Sequence, residues 1–479
     1  MGLVMRQTLL ALLTAAALLP AGGAWAQTYM KTQPRAVAAA LEDGLTDDEK
    51  ALVDKGAYVA RAADCLACHT AVDGPFYAGG RAFGTAFGTI YSANITSDPE
   101  TGIGGWSEAD FEQAVRHGVD AEGEHLYPAM PYTAYAKLSD ADVHALWAYI
   151  KRIRPVNNRP PENDLAWPLG WRFLMTGWNL LFFDDDRFEP DPQRSPEWNR
   201  GRYLVEGPGH CGVCHTPRNL LMAEKTREKL TGETFEGWYA PSLVAGKGFG
   251  ISDLSVDELT TYLQTGLLHD NAVAGPMAEV VEQSLQKLRT DDLRAIAIYL
   301  KSLHFDSGKT VPFLPGLTRG KTVAQSGPAE GTSVAWSATP NRVADPVSVR
   351  DIPPAPVEIG SEGGLLAPGE RLYMDNCMAC HLDGQGAPGA FPALVGNGAV
   401  VADEPNDLLM VILHGAQTPQ TDLHPTVFAM PNFDWRLSDE EVATLADYVR
   451  RTFGRKEGAS VDVDLVAELR KERPDRIGR

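Results

Sequence analysis

Six cysteines are all that the 479-residue chain contains, and each sits in a Cys-x-x-Cys-His pentad. The three pentads are Cys65-Leu66-Ala67-Cys68-His69, Cys211-Gly212-Val213-Cys214-His215 and Cys377-Met378-Ala379-Cys380-His381. This is the c-type haem attachment pattern. Two thiols at this spacing can add to the two vinyl groups of a porphyrin, and the adjacent histidine then offers the iron its proximal nitrogen. A zinc site would need four ligands from neighbouring motifs, whereas these lie about a domain apart. A thioredoxin-like thiol pair needs no trailing histidine and belongs in a βαβ setting that the sequence lacks. The expectation is three covalently bound haem c groups, held by Cys65, Cys68, Cys211, Cys214, Cys377 and Cys380, with His69, His215 and His381 on the metal.

A sixth iron ligand is expected between each pentad and the last helix of its segment. Met130 lies in Tyr127-Pro128-Ala129-Met130-Pro131, Met277 in Gly275-Pro276-Met277, and Met430 in Phe428-Ala429-Met430-Pro431. A thioether is a soft, neutral ligand that favours reduced iron, and an adjacent proline stiffens the loop that must present it. A methionine is more often core filling; the recurrence of all three at equivalent places favours ligation. Met222 is too close to His215 to reach round a ring, and Met374 and Met378 are read as packing. His117, His125, His144, His269, His304, His414 and His424 lack ligand spacing. His210, directly before Cys211, is placed near a haem edge without being a ligand, and a backbone carbonyl at Thr216-Pro217 is expected to orient His215.

These groups need elements to position them, and the elements repeat. Gly56-Ala57-Tyr58 approaches Cys65, Gly201-Arg202-Tyr203 approaches Cys211, and Gly369 with Tyr373 precedes Cys377. Downstream, Leu138-Ser139-Asp140-Ala141-Asp142, Leu288-Arg289-Thr290-Asp291-Asp292 and Leu437-Ser438-Asp439-Glu440-Glu441 each read as a helix start. A hydroxyl at the cap and carboxylates in the first turn satisfy free amides and suit the helix dipole. The helices end alike at Tyr149-Ile150-Lys151, Tyr299-Leu300-Lys301 and Tyr448-Val449-Arg450. The predicted fold class is all-α: three tandem cytochrome c domains joined by long linkers.

The expected division is a signal peptide over 1–26, domains over 45–157, 196–305 and 363–455, linkers over 158–195 and 306–362, and a charged, peripheral tail over 456–479. Arg6, the apolar run Leu9–Leu19 and Ala24-Trp25-Ala26 carry the signal reading; the run is too short to span a bilayer. The product is thus expected on the periplasmic side of a bacterial inner membrane. The first linker turns aromatic from Trp167 to Phe183, and either packs between domains or lies in a membrane surface. The second is rich in Pro, Ala and Ser and reads as an extended spacer. A net charge of −20 with no basic block excludes nucleic acid as a partner.

The arrangement resembles the tri-haem cytochrome c subunit of membrane-bound periplasmic dehydrogenases, best known from the alcohol dehydrogenase of acetic acid bacteria. Matching pieces include Gly56-Ala57-Tyr58-Val59-Ala60-Arg61, Tyr91-Ser92-Ala93-Asn94-Ile95-Thr96, Leu126-Tyr127-Pro128-Ala129-Met130-Pro131-Tyr132 and Gly207-Pro208-Gly209-His210-Cys211-Gly212-Val213-Cys214-His215-Thr216-Pro217-Arg218. Related cytochromes serve gluconate, sorbitol, fructose and aldehyde dehydrogenases. The resemblance implies electron transfer from a quinone-, flavin- or molybdenum-bearing catalytic subunit towards ubiquinone, peripherally at the inner membrane. Two alternatives stay open on the residues alone: a haem enzyme of di-haem peroxidase type, which needs a five-coordinate iron, and a free soluble multihaem shuttle. No substrate-oxidising site of its own is expected, since no nucleotide-binding glycine fingerprint follows a strand.

Overall fold

The computed structural model describes residues 44–245, 251, 254–268, 271–306, 308–312, 367–387, 390–456, 458 and 460–472. The expected signal peptide, His269 and the second linker from 313 onward lie outside them. The rest forms two compact units. One holds the chain up to His210 together with Glu282–Asp292; the other holds Cys211–Val281 and everything from Leu293.

The first unit is organised by a pair of crossed helices. Helix α1, Asp47–Ala62, begins at a reciprocal cap: the Glu49 amide donates to the Thr46 hydroxyl at 3.3 Å, and the Thr46 amide donates to the Glu49 carboxylate at 2.9 Å. Three acids in its first turn complement the helix dipole. Helix α2, Glu108–His117, opens on a similar box at Ser107 and stops at Gly118, where φ is +62°. Helix α3, Asp140–Ile150, is capped by Ser139 and crosses α1. Gly56 makes the crossing possible. A Cβ there would lie 1.9 Å from the Ala145 carbonyl oxygen and 2.8 Å from the Tyr149 Cβ. The fully buried Arg116 staples α2 to the start of α3, donating to Asp140 at 2.7 Å and to the Leu138 carbonyl at 2.8 Å. Helices α4, Leu174–Phe182, and α5, Pro196–Glu206, complete this part. Strands β1, Ala82–Thr85, β2, Gly88–Tyr91, and β3, Asp164–Leu165, form a small antiparallel sheet in that order.

The second unit carries hairpins β4–β5, Glu233–Phe235 with Trp238–Ala240, and β6–β7, Leu267–Leu268 with Asn271–Ala272. Helices α6, Val256–Thr265, α7, Pro276–Gln283, and α8, Thr290–Lys301, come from the same stretch, the ends of α7 and α8 being shared with the first unit. Hairpin β8–β9, Leu303–Asp306 with Lys309–Pro312, follows. Beyond the second linker, α9, Pro368–Asn376, crosses α11, Asp439–Thr452, with α10, Asn406–His414, beside them. Gly369 repeats the role of Gly56: a Cβ there would lie 2.7 Å from Tyr448 Cβ and 2.8 Å from the Thr444 carbonyl oxygen. Tyr373, Leu409, Met410, Val442, Leu445 and Ala446 form the core of this part.

The described residues are mostly helical, with short antiparallel hairpins that an all-α reading did not include; β10, Ala416–Gln417, and β11, Ala429–Met430, are another. The tail is also less peripheral than its charge suggested. Helix α12, Val463–Leu469, buries Val466 and Leu469, and Arg470 behind it donates to Asp439 at 2.6 Å and to the Leu437 carbonyl at 2.9 Å.

Candidate haem-binding sites

Each pentad closes into a single helical turn behind its approach helix: Cys65–Cys68, Gly212–His215 and Met378–His381. In all three, the histidine amide donates to the carbonyl of the first cysteine, at 2.9, 3.0 and 3.0 Å. One turn therefore brings both thiols and the imidazole of a pentad together. All six cysteines are unbridged. Burial pushes the Cys65 thiol up to about 12, Cys211 to about 11, and Cys214 and Cys377 to about 12. Burial thus keeps these four thiols protonated at neutral pH.

The imidazoles share one arrangement. His69 Nδ1 lies 2.7 Å from the Ala93 carbonyl oxygen, His215 Nδ1 2.7 Å from that of Pro241, and His381 Nδ1 3.0 Å from that of Pro392. A carbonyl can only accept, so Nδ1 carries the proton and the Nε2 lone pair is left for a metal. Burial lowers the pKa of each ring, and the carbonyl offsets this only in part, which keeps the imidazole neutral as a ligand must be. The partner of His215 is thus Pro241 rather than Thr216-Pro217. The Thr216 hydroxyl instead accepts the Leu230 amide at 3.0 Å. An arginine steadies two of the pentads at the same position, Arg81 donating to the Ala67 carbonyl at 2.8 Å and Arg218 to that of Val213 at 2.7 Å. Neither arginine was singled out from the sequence.

The three methionines occupy different local frames, all half-buried. Met130 sits in a turn, its amide donating to the Tyr127 carbonyl and its carbonyl accepting the Tyr132 amide. Met277 is the second residue of α7, a helix where a loop was expected. Met430 lies in β11, paired with Ala416. Among the other histidines, His144 meets Glu108 at 2.6 Å and His414 Nε2 meets the Leu469 carbonyl at 2.8 Å. His210 has a more specific place: its ring packs edge-on to Tyr135 at 5.6 Å, beside the Ala63 carbonyl, two residues before Cys65. The Tyr135 hydroxyl donates to that same carbonyl at 2.7 Å.

The donor set fits c-type haem: paired thiols outside any disulfide and a neutral histidine with its distal nitrogen unengaged. Bound there, the group supplies an iron that takes up and releases one electron. Comparison with known proteins agrees. Residues 366–453 match the family model described as Cytochrome c, and residues 51–150 the one described as Cytochrome C oxidase, cbb3-type, subunit III. The chain is 38% identical to the alcohol dehydrogenase (quinone), cytochrome c subunit, of Gluconacetobacter polyoxogenes, over 88% of this chain and 85% of that protein. It is 38% identical to the gluconate 2-dehydrogenase cytochrome c subunit of Pantoea cypripedii, over 91% and 92%.

This chain belongs to the cytochrome c subunits of dehydrogenases. As a dehydrogenase cytochrome c subunit, it is an electron-transfer component of a dehydrogenase complex with haem c-binding domains. It is also 42% identical to a nicotinate dehydrogenase subunit of Pseudomonas putida over 87% of its own length, spanning 32% of that longer protein. The relatives' names thus span alcohol, gluconate and nicotinate dehydrogenases.

Proposed function

We propose that the chain carries three covalent haem c groups and relays electrons from a periplasmic dehydrogenase catalytic subunit to ubiquinone or another downstream acceptor. The observation that carries this reading is the repeated Nδ1-to-carbonyl bond at His69, His215 and His381. Cys65 and Cys68, Cys211 and Cys214, and Cys377 and Cys380 make the thioether links. Met130, Met277 and Met430 cap the irons opposite the histidines, in domains over 45–157, 196–305 and 363–455. With haem bound, histidine and methionine would both hold the iron, which would leave no open site for oxygen or peroxide and argues against a peroxidase.

The catalytic partner is a quinoprotein, flavoprotein or molybdoprotein, and the assembly sits peripherally on the periplasmic face of the inner membrane. The aromatic segment supports the membrane part of this reading. Trp167 is 80% exposed, Phe173 64%, Leu180 87% and Leu181 68%. The segment is nevertheless tied down: Arg172 donates to Asp120 at 2.9 Å and Glu124 at 2.7 Å, and Tyr132 donates to Asn179 at 2.7 Å. One side is anchored and the other presents Trp, Phe and Leu to solvent, as an interfacial helix does. Among the described residues, no helix is long and apolar enough to cross a membrane.

Mixing the purified holoprotein with alcohols, aldehydes or sugar acids tests the relay. It stays oxidised alone and becomes reduced when its dehydrogenase partner is added. Substrate-dependent reduction of the cytochrome alone contradicts the reading.

A further inference from the structure

The strand that holds His215 is itself held by the third repeat. Pro241, whose carbonyl accepts the His215 Nδ1 proton at 2.7 Å, directly follows β5. One edge of β5 pairs with β4; the other is taken by the start of α10. There the Tyr239 amide, two residues before Pro241, donates to Asp407 Oδ1 at 2.7 Å. The neighbouring Asn406 side chain donates to the Gly237 carbonyl at 3.2 Å. Trp238, between these two bonds, is buried in one cluster with Tyr373, Leu409, Met410 and Leu413. At the hairpin tip φ of Gly237 is +78°, and a Cβ there would lie 3.2 Å from the Met410 sulfur and 3.3 Å from Leu469. Every one of these residues lies in the second compact unit.

The same tryptophan also meets the methionine side of the second site. The backbone at Gly275, where φ is +56°, runs so close to the Trp238 ring that a Cβ would lie 2.6 Å from it. Met277 follows two residues later. A further bond from the third repeat reaches the chain just ahead of it, the Gly398 amide donating to the Asn271 side chain in β7 at 3.1 Å. Beyond Pro241, by contrast, the chain is tied within its own repeat, the Leu243 amide donating to the Leu230 carbonyl at 2.8 Å.

We propose that Asp407 is a positioning residue for the second haem site: it braces β5 so that Pro241 keeps its bond to His215, and the third repeat thereby sets the second site's reduction potential. Trp238 carries the same support to Gly275. This rests on the three-haem reading above. A carbonyl on Nδ1 strengthens the imidazole as a donor, which favours ferric iron and lowers the potential. Slackening the strand should therefore raise that potential. Loss of packing alone would do the opposite, since entering water stabilises the more highly charged ferric site.

The experiment compares the full-length holoprotein with its Asp407→Ala, Asp407→Asn and Asn406→Ala variants. Burial pushes the Asp407 carboxyl up to about 7, so at pH 6 asparagine copies its uncharged form and keeps an acceptor oxygen. Intact mass and the spin state of Met277→Ala are taken first. A parent haem count below three, or no high-spin haem in Met277→Ala, counts against the three-haem reading and not against the brace; otherwise Met277→Ala marks which potential belongs to the second site. Amide hydrogen exchange at Tyr239 follows the brace without reference to haem. Asp407→Ala should lose protection there by about five- to tenfold, the weight of one hydrogen bond, and Asp407→Asn should keep it. In potentiometric titration at pH 6, Asp407→Ala should raise the second site's potential alone, and Asp407→Asn should match the parent. Asn406→Ala, which removes only the neighbouring bond to Gly237, should act in the same direction and serves if Asp407→Ala fails to fold. Unaltered exchange at Tyr239 in Asp407→Ala, or a second-site potential that stays or falls in the folded variants, overturns the proposal.

Discussion

His69 donates its Nδ1 proton to the Ala93 carbonyl oxygen 2.7 Å away, and this single bond decides which nitrogen faces outward. Ala93 lies 24 residues beyond His69, in the chain that leaves β2. The geometry recurs at His215 and His381, whose carbonyl partners Pro241 and Pro392 each open a Pro-x-Leu-Val stretch. Fixing the tautomer and the ring angle would ready Nε2 for an iron, with one of the proposed methionines as the second ligand.

That second ligand gives the first prediction. Replacing Met130, Met277 or Met430 by Ala should open one iron of three and convert about one third of the haem to high spin. The methionine-to-iron charge-transfer absorption should fall in proportion. A variant that keeps every iron low-spin and the absorption intact removes that methionine from the ligand set.

The crossed helices make a second prediction. Gly56→Ala forces a methyl group into the Ala145 carbonyl, and Gly369→Ala forces one into Tyr448 and the Thr444 carbonyl. Overpacking of this kind costs about 1–3 kcal/mol, read by thermal or denaturant unfolding. Gly105→Ala, where a Cβ meets nothing within 4 Å, is the control and should be near neutral.

Much of this was legible locally. The pentads, the caps at Ser139 and Ser438 and the glycine-tyrosine repeats depend on residues a turn apart, so a pattern in the sequence reports them. The Thr290 signal was slightly displaced: Thr290 begins α8 itself, and Arg289 takes the position that Ser139 holds in the first repeat. What the sequence hid was distant or small. Pro241 is 26 residues from His215, and Asp292 is 234 from Tyr58. Two-residue strands leave no alternating pattern. Val466 and Leu469 are buried from within a charged tail, where composition masks the apolar face.

Acid stability supplies a third prediction. The folded pKa of Asp292, about 2, lies below its unfolded value, because bonds from Arg200 and Tyr58 outweigh burial. A depressed carboxylate contributes stability above its unfolded pKa and loses it as pH falls through the folded one. The contribution at neutral pH is on the order of 2 kcal/mol, lost between about pH 4 and pH 2. Asp292→Asn should lower stability at pH 7 and flatten the acid limb; an identical acid profile contradicts this assignment.

The exposed aromatic segment supplies a fourth. Trp167→Asp combined with Leu180→Asp places charge on the solvent-facing side without touching Arg172, Asn179 or their partners. Binding to anionic lipid vesicles, read by co-sedimentation, should drop while haem absorption is unchanged. Equal sedimentation of variant and parent assigns the segment to protein contact instead.

Three covalent haem groups are the claim on which the rest depends. Intact mass spectrometry of the mature protein after denaturation measures it directly, because thioether links survive when folding does not. The account predicts a polypeptide heavier by three haem masses, with no free thiol left to alkylate at any of the six cysteines. A gain of two haem masses or fewer in fully matured protein, with alkylatable thiols in one pentad, contradicts it.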